Sequence, residues 1–238
     1  MNEALSGRRV AFFGGSFDPP HVGHLAVARA AREALALDTV LFAPVGAQPL
    51  KPGGAAARFE DRAAMTRLAI AGEPGFELSL ADAPKPTGAP NYTLETLISL
   101  RAGLAPGGML FCLMGADAFV GLKDWRGADR IPFVAPLIVA SRPGQALDGL
   151  EAALPSGLTL EGGGIGDAAS SSVEVRTSLL RNPAGDATPF YLLPGLHVDV
   201  SASEIRRQVQ AVLGSRQAGA GLLPDAVADY IRSHGLYL

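Results

Sequence analysis

The sequence predicts an α/β protein built on a doubly wound parallel sheet, with helices closing the chain, and three observations predict it. Short apolar runs without polar alternation recur along the chain, as expected of strands buried on both faces. The early runs are each followed by a longer segment with helical spacing, the pattern of a parallel sheet with right-handed crossovers. The 238 residues are 48% apolar and 18% charged, enough for a sizeable core and inconsistent with wholesale disorder. That length fits a single domain, residues 1–238.

Each element follows from its own residues. Val-Ala-Phe-Phe at 10–13 reads as the first buried strand. A glycine- and proline-rich turn comes next, then a helix over 22–37 with Arg29, Arg32 and Glu33 on its wet side. A second strand is expected at 39–43, a second helix at 58–71 and a third strand at 76–80. After a long loop, a helix is expected over 93–104, then apolar strands at 109–114 and 136–140. Residues 144–189 have no clear period and contain the glycine-rich run 162–166 and three serines at 170–172; they are expected to form a variable insertion or loop. Strand character resumes at 190–193. Two helices close the chain: 203–213, with Ile205, Val209 and Val212 as its apolar stripe, and 224–234. In open parallel sheets ligands bind beyond the carboxyl ends of the strands. The loops at Gly14, Pro44 and Gly115 are therefore expected to converge on one site.

Composition excludes several classes of function. With 20 Lys+Arg against 23 Asp+Glu, the net charge is −3. That argues against nucleic-acid partners, which need a basic footprint. Only Lys51, Lys85 and Lys123 are lysines, so a lysine beside a phosphate-type loop stands out. Cys112 is the one cysteine and cannot form an internal disulfide or a cysteine-rich zinc site; in its apolar run it reads as a buried thiol. No apolar stretch approaches the ~18 residues of a membrane span. Arg8-Arg9 does not open an export signal, because the apolar run stops at Gly14 and Asp18 follows. A cytoplasmic protein with no membrane partner is expected.

The strongest local signal is the segment 14–25, Gly-Gly-Ser-Phe-Asp-Pro-Pro-His-Val-Gly-His-Leu. It joins the first strand to the first helix, where a phosphate meets free backbone N–H groups and the positive end of the helix dipole. Gly14 and Gly15 let the backbone approach a ligand, and Pro19-Pro20 stiffens the turn. His21 and His24 are three apart, on one face at the helix start, and Gly23 between them adds no side chain. No further histidine or cysteine set completes a zinc site, so no metal ligands are expected. The Gly-Lys dipeptide of a P-loop is absent, as is a dinucleotide fingerprint after the first strand, so the phosphate device is of another type.

This segment resembles the (H/T)-x-G-H motif of the nucleotidyltransferase superfamily. The superfamily's second signature, a serine- or threonine-rich approach to a late helix ending in arginine, is similar to Val-Ser-Ala-Ser-Glu-Ile-Arg at 200–206. Further matches resemble the bacterial nicotinate-nucleotide adenylyltransferases: Asn-Tyr-Thr-Leu-Glu-Thr-Leu at 91–97, Met-Gly-Ala-Asp at 114–117 with Trp125 eight residues on, Leu-Ile-Val-Ala-Ser-Arg-Pro-Gly at 137–144, and Leu-Leu-Pro at 222–224 leading to Tyr230 and Tyr237. The matches run in order along nearly the whole chain, with 144–189 matching poorly.

The resemblance implies a Rossmann-like nucleotidyltransferase fold. It also implies transfer of AMP from ATP to nicotinate mononucleotide, giving deamido-NAD and pyrophosphate in NAD biosynthesis. Mg2+ accompanies ATP, and no covalent enzyme intermediate forms. Carried over by motif position, His21 and His24 contact the ATP phosphates, with His24 on the α-phosphate. Gly14, Gly15, Ser16, Phe17 and Gly23 line the nucleotide phosphates. Lys51, in the loop after the second strand, is a phosphate contact, and Leu50 stands where many members have histidine. Ser201, Ser203 and Arg206 hold the β- and γ-phosphates, and Asp117 accepts from the ribose hydroxyls. Thr93 meets the nicotinate carboxylate through its backbone, Trp125 stacks on the pyridine ring, and Arg142 is a further phosphate contact or a solvated strand-end cation. Read alone, Ser203 is a helix cap, Arg206 a surface cation, Asp117 a helix cap and Trp125 a core residue. A sibling phosphopantetheine adenylyltransferase or cytidylyltransferase, and a non-catalytic nucleotide sensor, are the competing readings. The sequence leaves the oligomeric state, homo-oligomer included, open.

Overall fold

Eight short strands form one sheet in the order β3-β2-β1-β4-β5-β8-β7-β6. The computed structural model describes residues 7–50, 53–141, 151–166, 173–195, 200–211 and 221–238. In chain order the elements are β1 (Arg9–Gly15), α1 (Val22–Ala34), β2 (Thr39–Pro44), α2 (Phe59–Ala69), β3 (Phe76–Leu78), α3 (Thr93–Ala102), β4 (Met109–Gly115), α4 (Ala116–Val120), α5 (Ile131–Val134), β5 (Leu137–Ala140), β6 (Thr159–Gly166), β7 (Val175–Arg181), β8 (Ala187–Leu193), α6 (Ala202–Ala211) and α7 (Asp225–Ser233). The sheet is mostly parallel and flanked by helices, the expected α/β class.

The described chain divides into two compact units. One draws on Met1–Phe13, Val27–Leu41 and Tyr92–His197, the other on Gly14–Ala26, Phe42–Asn91 and Val198–Leu238. In the first unit β4 pairs in parallel with β1 and β5, and β5 with β8; Phe12 lies opposite Cys112, and Cys112 opposite Leu137. Residues 110–114 and 137–140 are buried without alternation, because a central parallel strand meets apolar partners on both faces. Cys112 is buried there, as its sequence context predicts.

In the second unit α2, α6 and α7 share a core of Met65, Ala69, Ile205, Val209, Val227 and Ile231. The stripe residues Ile205 and Val209 thus face inward as their spacing predicts, while Val212 lies outside the described residues.

Two expectations change. The helix after the first strand stops at Ala34 and not at 37. Ala36 takes a left-handed φ of 45°, and the Leu37 N–H reaches back to the Arg32 carbonyl at 3.0 Å, the hydrogen bond of a Schellman stop. The segment 144–189, expected to be a variable insertion or loop, is not all loop: it contains β6 and β7, which pair antiparallel with each other and, through β7, with β8. Their period is hidden because the register shifts between Glu161 and Gly164, and Gly162 has a φ of 72°; a bulge breaks the alternation of side chains. Among the described residues no helix is long and apolar enough to cross a membrane.

Candidate active site

The turn between β1 and α1 is held from several sides. Phe17 is 1% exposed and takes a φ of 47°, a left-handed conformation that costs a non-glycine residue about 1–3 kcal/mol and persists only where its surroundings fix it. Its ring packs edge-on against His24, with centroids 4.9 Å apart, and against Phe42 at 5.6 Å. A Cβ on Gly15 would stand 3.2 Å from the Phe17 ring, so glycine leaves that ring its room. The Asp18–Pro19 peptide is cis.

His21 and His24 lie ring against ring, centroids 3.7 Å apart. The His21 backbone N–H donates to His24 Nδ1 at 3.1 Å. A neutral imidazole whose Nδ1 accepts carries its proton on Nε2. Burial, with His21 alongside, holds the His24 pKa well below the ordinary histidine value. His24 is therefore a neutral ring with a fixed Nε2–H donor.

Residues given no site role in the sequence hold this turn in place. The Asp18 carboxylate, 4% exposed, accepts from the backbone N–H groups of Ala56 (2.6 Å) and Ala57 (3.1 Å) and from the Tyr237 hydroxyl (2.7 Å). Arg62, 2% exposed, donates to the carbonyls of Ser16 (2.7 Å), Val45 (2.8 Å) and Ala57 (3.2 Å). Burial lowers the Arg62 pKa and Asp18 opposes that shift; a guanidinium remains a cation regardless. Asn91, the first residue of the Asn-Tyr-Thr motif, accepts from the Ala47 N–H and donates to the Ala83 carbonyl, fixing the loop after β2. In that loop a Cβ on Gly46 would meet the Pro84 backbone at 2.5 Å. Ser16, Val45, Gly46, Gln48, Ala55 and Arg62 help line a pocket of about 270 Å3, and Ser16 donates to Gln48 at 3.3 Å. Leu50 is 57% exposed.

The late helix meets the same turn. Arg206 donates to the Asp18 carbonyl at 2.6 Å and to Ser203 Oγ at 3.1 Å, and lies 4.0 Å from the Asp18 carboxylate. Ser201, not Ser203, caps α6: its hydroxyl accepts the Glu204 N–H at 3.1 Å. Ser203 sits exposed in the first turn. This unit thus brings Gly14, Gly15, Ser16, Phe17, His21, Gly23, His24, Ser201, Ser203 and Arg206 together.

Asp117, Thr93 and Trp125 belong to the other unit. Gly115 caps α4, and Asp117 lies exposed one residue past the helix start, so Asp117 is not the cap. Thr93 opens α3 after Tyr92. The loop carrying Trp125 packs on that helix start: the Arg126 guanidinium lies 4.6 Å above the Tyr92 ring and 3.6 Å from Glu95, and a Cβ on Gly127 would meet Leu94 at 2.5 Å. Thr93 and Trp125 are thus brought into one neighbourhood, with Trp125 half-buried and outside the core. Lys51 and Arg142 lie outside the described residues. Among the described residues no three metal-binding side chains gather.

Residues 12–208 match the Cytidylyltransferase-like family. Relatives from Roseiflexus sp. (strain RS-1) and Gloeobacter violaceus, each named "Probable nicotinate-nucleotide adenylyltransferase", are 37% and 36% identical; the alignments cover 98% and 97% of this chain and 100% and 97% of theirs. Within that class, the chain belongs to the nicotinate-nucleotide adenylyltransferase family. The solved Plasmodium falciparum nicotinic acid mononucleotide adenylyltransferase, complexed with NaAD or with APC, shares its fold, with a TM-score of 0.67 over 97% of both chains at 14% identity.

Proposed function

We propose that this chain transfers the adenylyl group of ATP to nicotinate mononucleotide, giving deamido-NAD and pyrophosphate in NAD biosynthesis. A phosphate oxygen of the mononucleotide attacks the α-phosphorus as the bond to the β-phosphate oxygen breaks. The nucleophile is already ionised, so the reaction needs alignment and charge compensation more than a strong base. The observation that carries this reading is that the turn leading into the histidine pair also receives α6: Arg206, hydrogen-bonded to Ser203, donates to the Asp18 carbonyl.

In this reading His24 offers its Nε2–H to the α-phosphate and His21 supports the phosphates beside it. A donor set in place before charge develops stabilises the transition state without reorganisation. Gly14, Gly15, Ser16, Phe17 and Gly23 give the triphosphate backbone donors and room. Ser203 and Arg206 take the β- and γ-phosphates, each charge-assisted hydrogen bond being worth about 1.5–3 kcal/mol. Ser201 serves the same phosphates by capping the helix that presents them. Lys51 and Arg142 supply further cations for phosphate. Asp117 takes the ribose hydroxyls, Thr93 the nicotinate carboxylate and Trp125 the pyridine ring. Mg2+ accompanies the triphosphate as part of the substrate. The chain acts as a single nucleotidyltransferase domain, residues 1–238, in the cytoplasm.

The test is pyrophosphate release from ATP and Mg2+ with nicotinate mononucleotide, nicotinamide mononucleotide and phosphopantetheine in parallel. Release at least about tenfold faster with nicotinate mononucleotide is expected, the discrimination of a site that pairs a carboxylate. Release with phosphopantetheine alone would overturn the roles of Thr93 and Trp125. No release with any acceptor, alongside measurable ATP binding, would replace the enzyme with a nucleotide sensor.

A further inference from the structure

We propose that Asp18 is a positioning residue for the transfer step and that Tyr237 is the latch that holds it. This rests on the adenylyl-transfer reading above and adds residues to it. Asp18 lies within the turn from β1 to α1, three positions before His21, and its carboxylate is buried. Its carboxylate accepts from two backbone N–H groups on the approach to α2 and from the hydroxyl of a tyrosine 219 residues away, and lies 4.0 Å from the Arg206 guanidinium. Its carbonyl is the anchor for the Arg206 guanidinium at 2.6 Å.

One residue therefore ties together both groups proposed to grip the triphosphate. Its backbone runs on into the histidine pair, and its carbonyl fixes the cation of α6. Phe17, immediately before it, stands in a left-handed conformation that needs its neighbours fixed on both sides. Burial, reinforced by Asp18, raises the Tyr237 pKa strongly, so the phenol stays a donor. The carboxylate acts through the turn and need not touch the substrate. Displacing reacting groups by about 1 Å can cost on the order of 10²-fold in rate, so a loosened latch should appear in kcat before it appears in substrate binding.

The test compares three variants of the full chain. Tyr237→Phe removes only the hydroxyl, and Asp18→Asn keeps the side chain's shape while losing an acceptor. Tyr230→Phe is the control: its hydroxyl donates to Asp61 at 3.0 Å, on the same group of helices and away from the turn. The latch predicts that Tyr237→Phe lowers kcat about 5–20-fold and Asp18→Asn on the order of 10²-fold, with KM for ATP within about twofold. Tyr230→Phe should keep the wild-type kcat at any matching loss of thermal stability. The double variant should lose no more than Asp18→Asn alone, because the Tyr237 hydroxyl acts only through that carboxylate.

A second readout does not depend on turnover. With four histidines in the chain, imidazole 15N spectra of the ATP-free protein resolve the His24 tautomer. Tyr237→Phe should mix that tautomer, and Tyr230→Phe should leave it intact. Wild-type kcat in Tyr237→Phe together with an unchanged imidazole spectrum overturns the latch. A wild-type protein that releases no pyrophosphate overturns the transfer reading, and the spectra then decide the latch. If Tyr237→Phe does not fold, Asp18→Asn carries both measurements.

Discussion

His24 is informative because two independent constraints act on one ring. Its Nδ1 is pinned as an acceptor by the His21 N–H, and burial beside His21 depresses its pKa. The native ring is thus neutral through the range where a free histidine, with pKa about 6.5, begins to charge. The sign follows from proton counting: below that value the unfolded chain binds a proton that the native state refuses. Stability is then lost as pH falls from about 6.5 toward the native pKa, by at most about 1.4 kcal/mol per pH unit for one group. Urea denaturation between pH 7 and 5 should show a shallower loss for His24→Gln than for the wild type; equal slopes would mean that His24 is charged in the native state. The spacing that puts His21 and His24 together is local and legible in the sequence. The partners that fix the turn are not, because Asp18 meets Tyr237 across 219 positions and Arg62 meets Ser16 across 46. Nothing in the composition of those segments marks the pairings.

The N-terminus of α6 separates two serines that look equivalent in the sequence. Ser201 accepts the Glu204 N–H and so satisfies one of the helix's orphan donors, whereas Ser203 lies in the first turn and accepts from Arg206. Ser201→Ala should therefore cost about 1 kcal/mol of folding stability, while Ser203→Ala should stay within about 0.5 kcal/mol. Kinetics should rank them the other way, with Ser203→Ala raising KM for ATP more. Denaturant midpoints and initial rates on both variants check this, and a Ser203→Ala variant as destabilised as Ser201→Ala would return Ser203 to the cap. The inward spacing of Ile205 and Val209 announces the helix, but either serine fits its first turn. Strands β6 and β7 show the opposite difficulty. Their cross-strand pairing is regular on both sides of the bulge, with Arg181 in a bidentate pair with Glu161 at 2.8 and 2.9 Å. A glycine-rich bulge removes the period by which such strands are found. The buried parallel strands needed no such help, since unbroken apolar runs bounded by glycine or proline are their own signature.

The chain separates the two ends of the proposed reaction along its sequence. The histidine turn and α6 belong to one unit, and the Thr93–Trp125 neighbourhood to the other. If His24 stabilises charge at the α-phosphate and Trp125 stacks on the pyridine, the two side chains serve different substrates at different stages. His24→Ala should lower kcat by about 10²–10³ with little change in KM for ATP. Trp125→Ala should raise KM for nicotinate mononucleotide far more than KM for ATP. Groups that act independently have additive free energies, within about 0.5 kcal/mol. The double variant's kcat/KM should then be the product of the two single losses. Trp125→Ala raising both KM values equally would make Trp125 a packing residue, because only a general loosening of the fold reaches both substrates alike. A double variant no worse than His24→Ala would mean that stacking on the pyridine matters only when the α-phosphate is correctly held. In that case the mononucleotide's binding energy is spent on aligning its phosphate for attack and not on affinity.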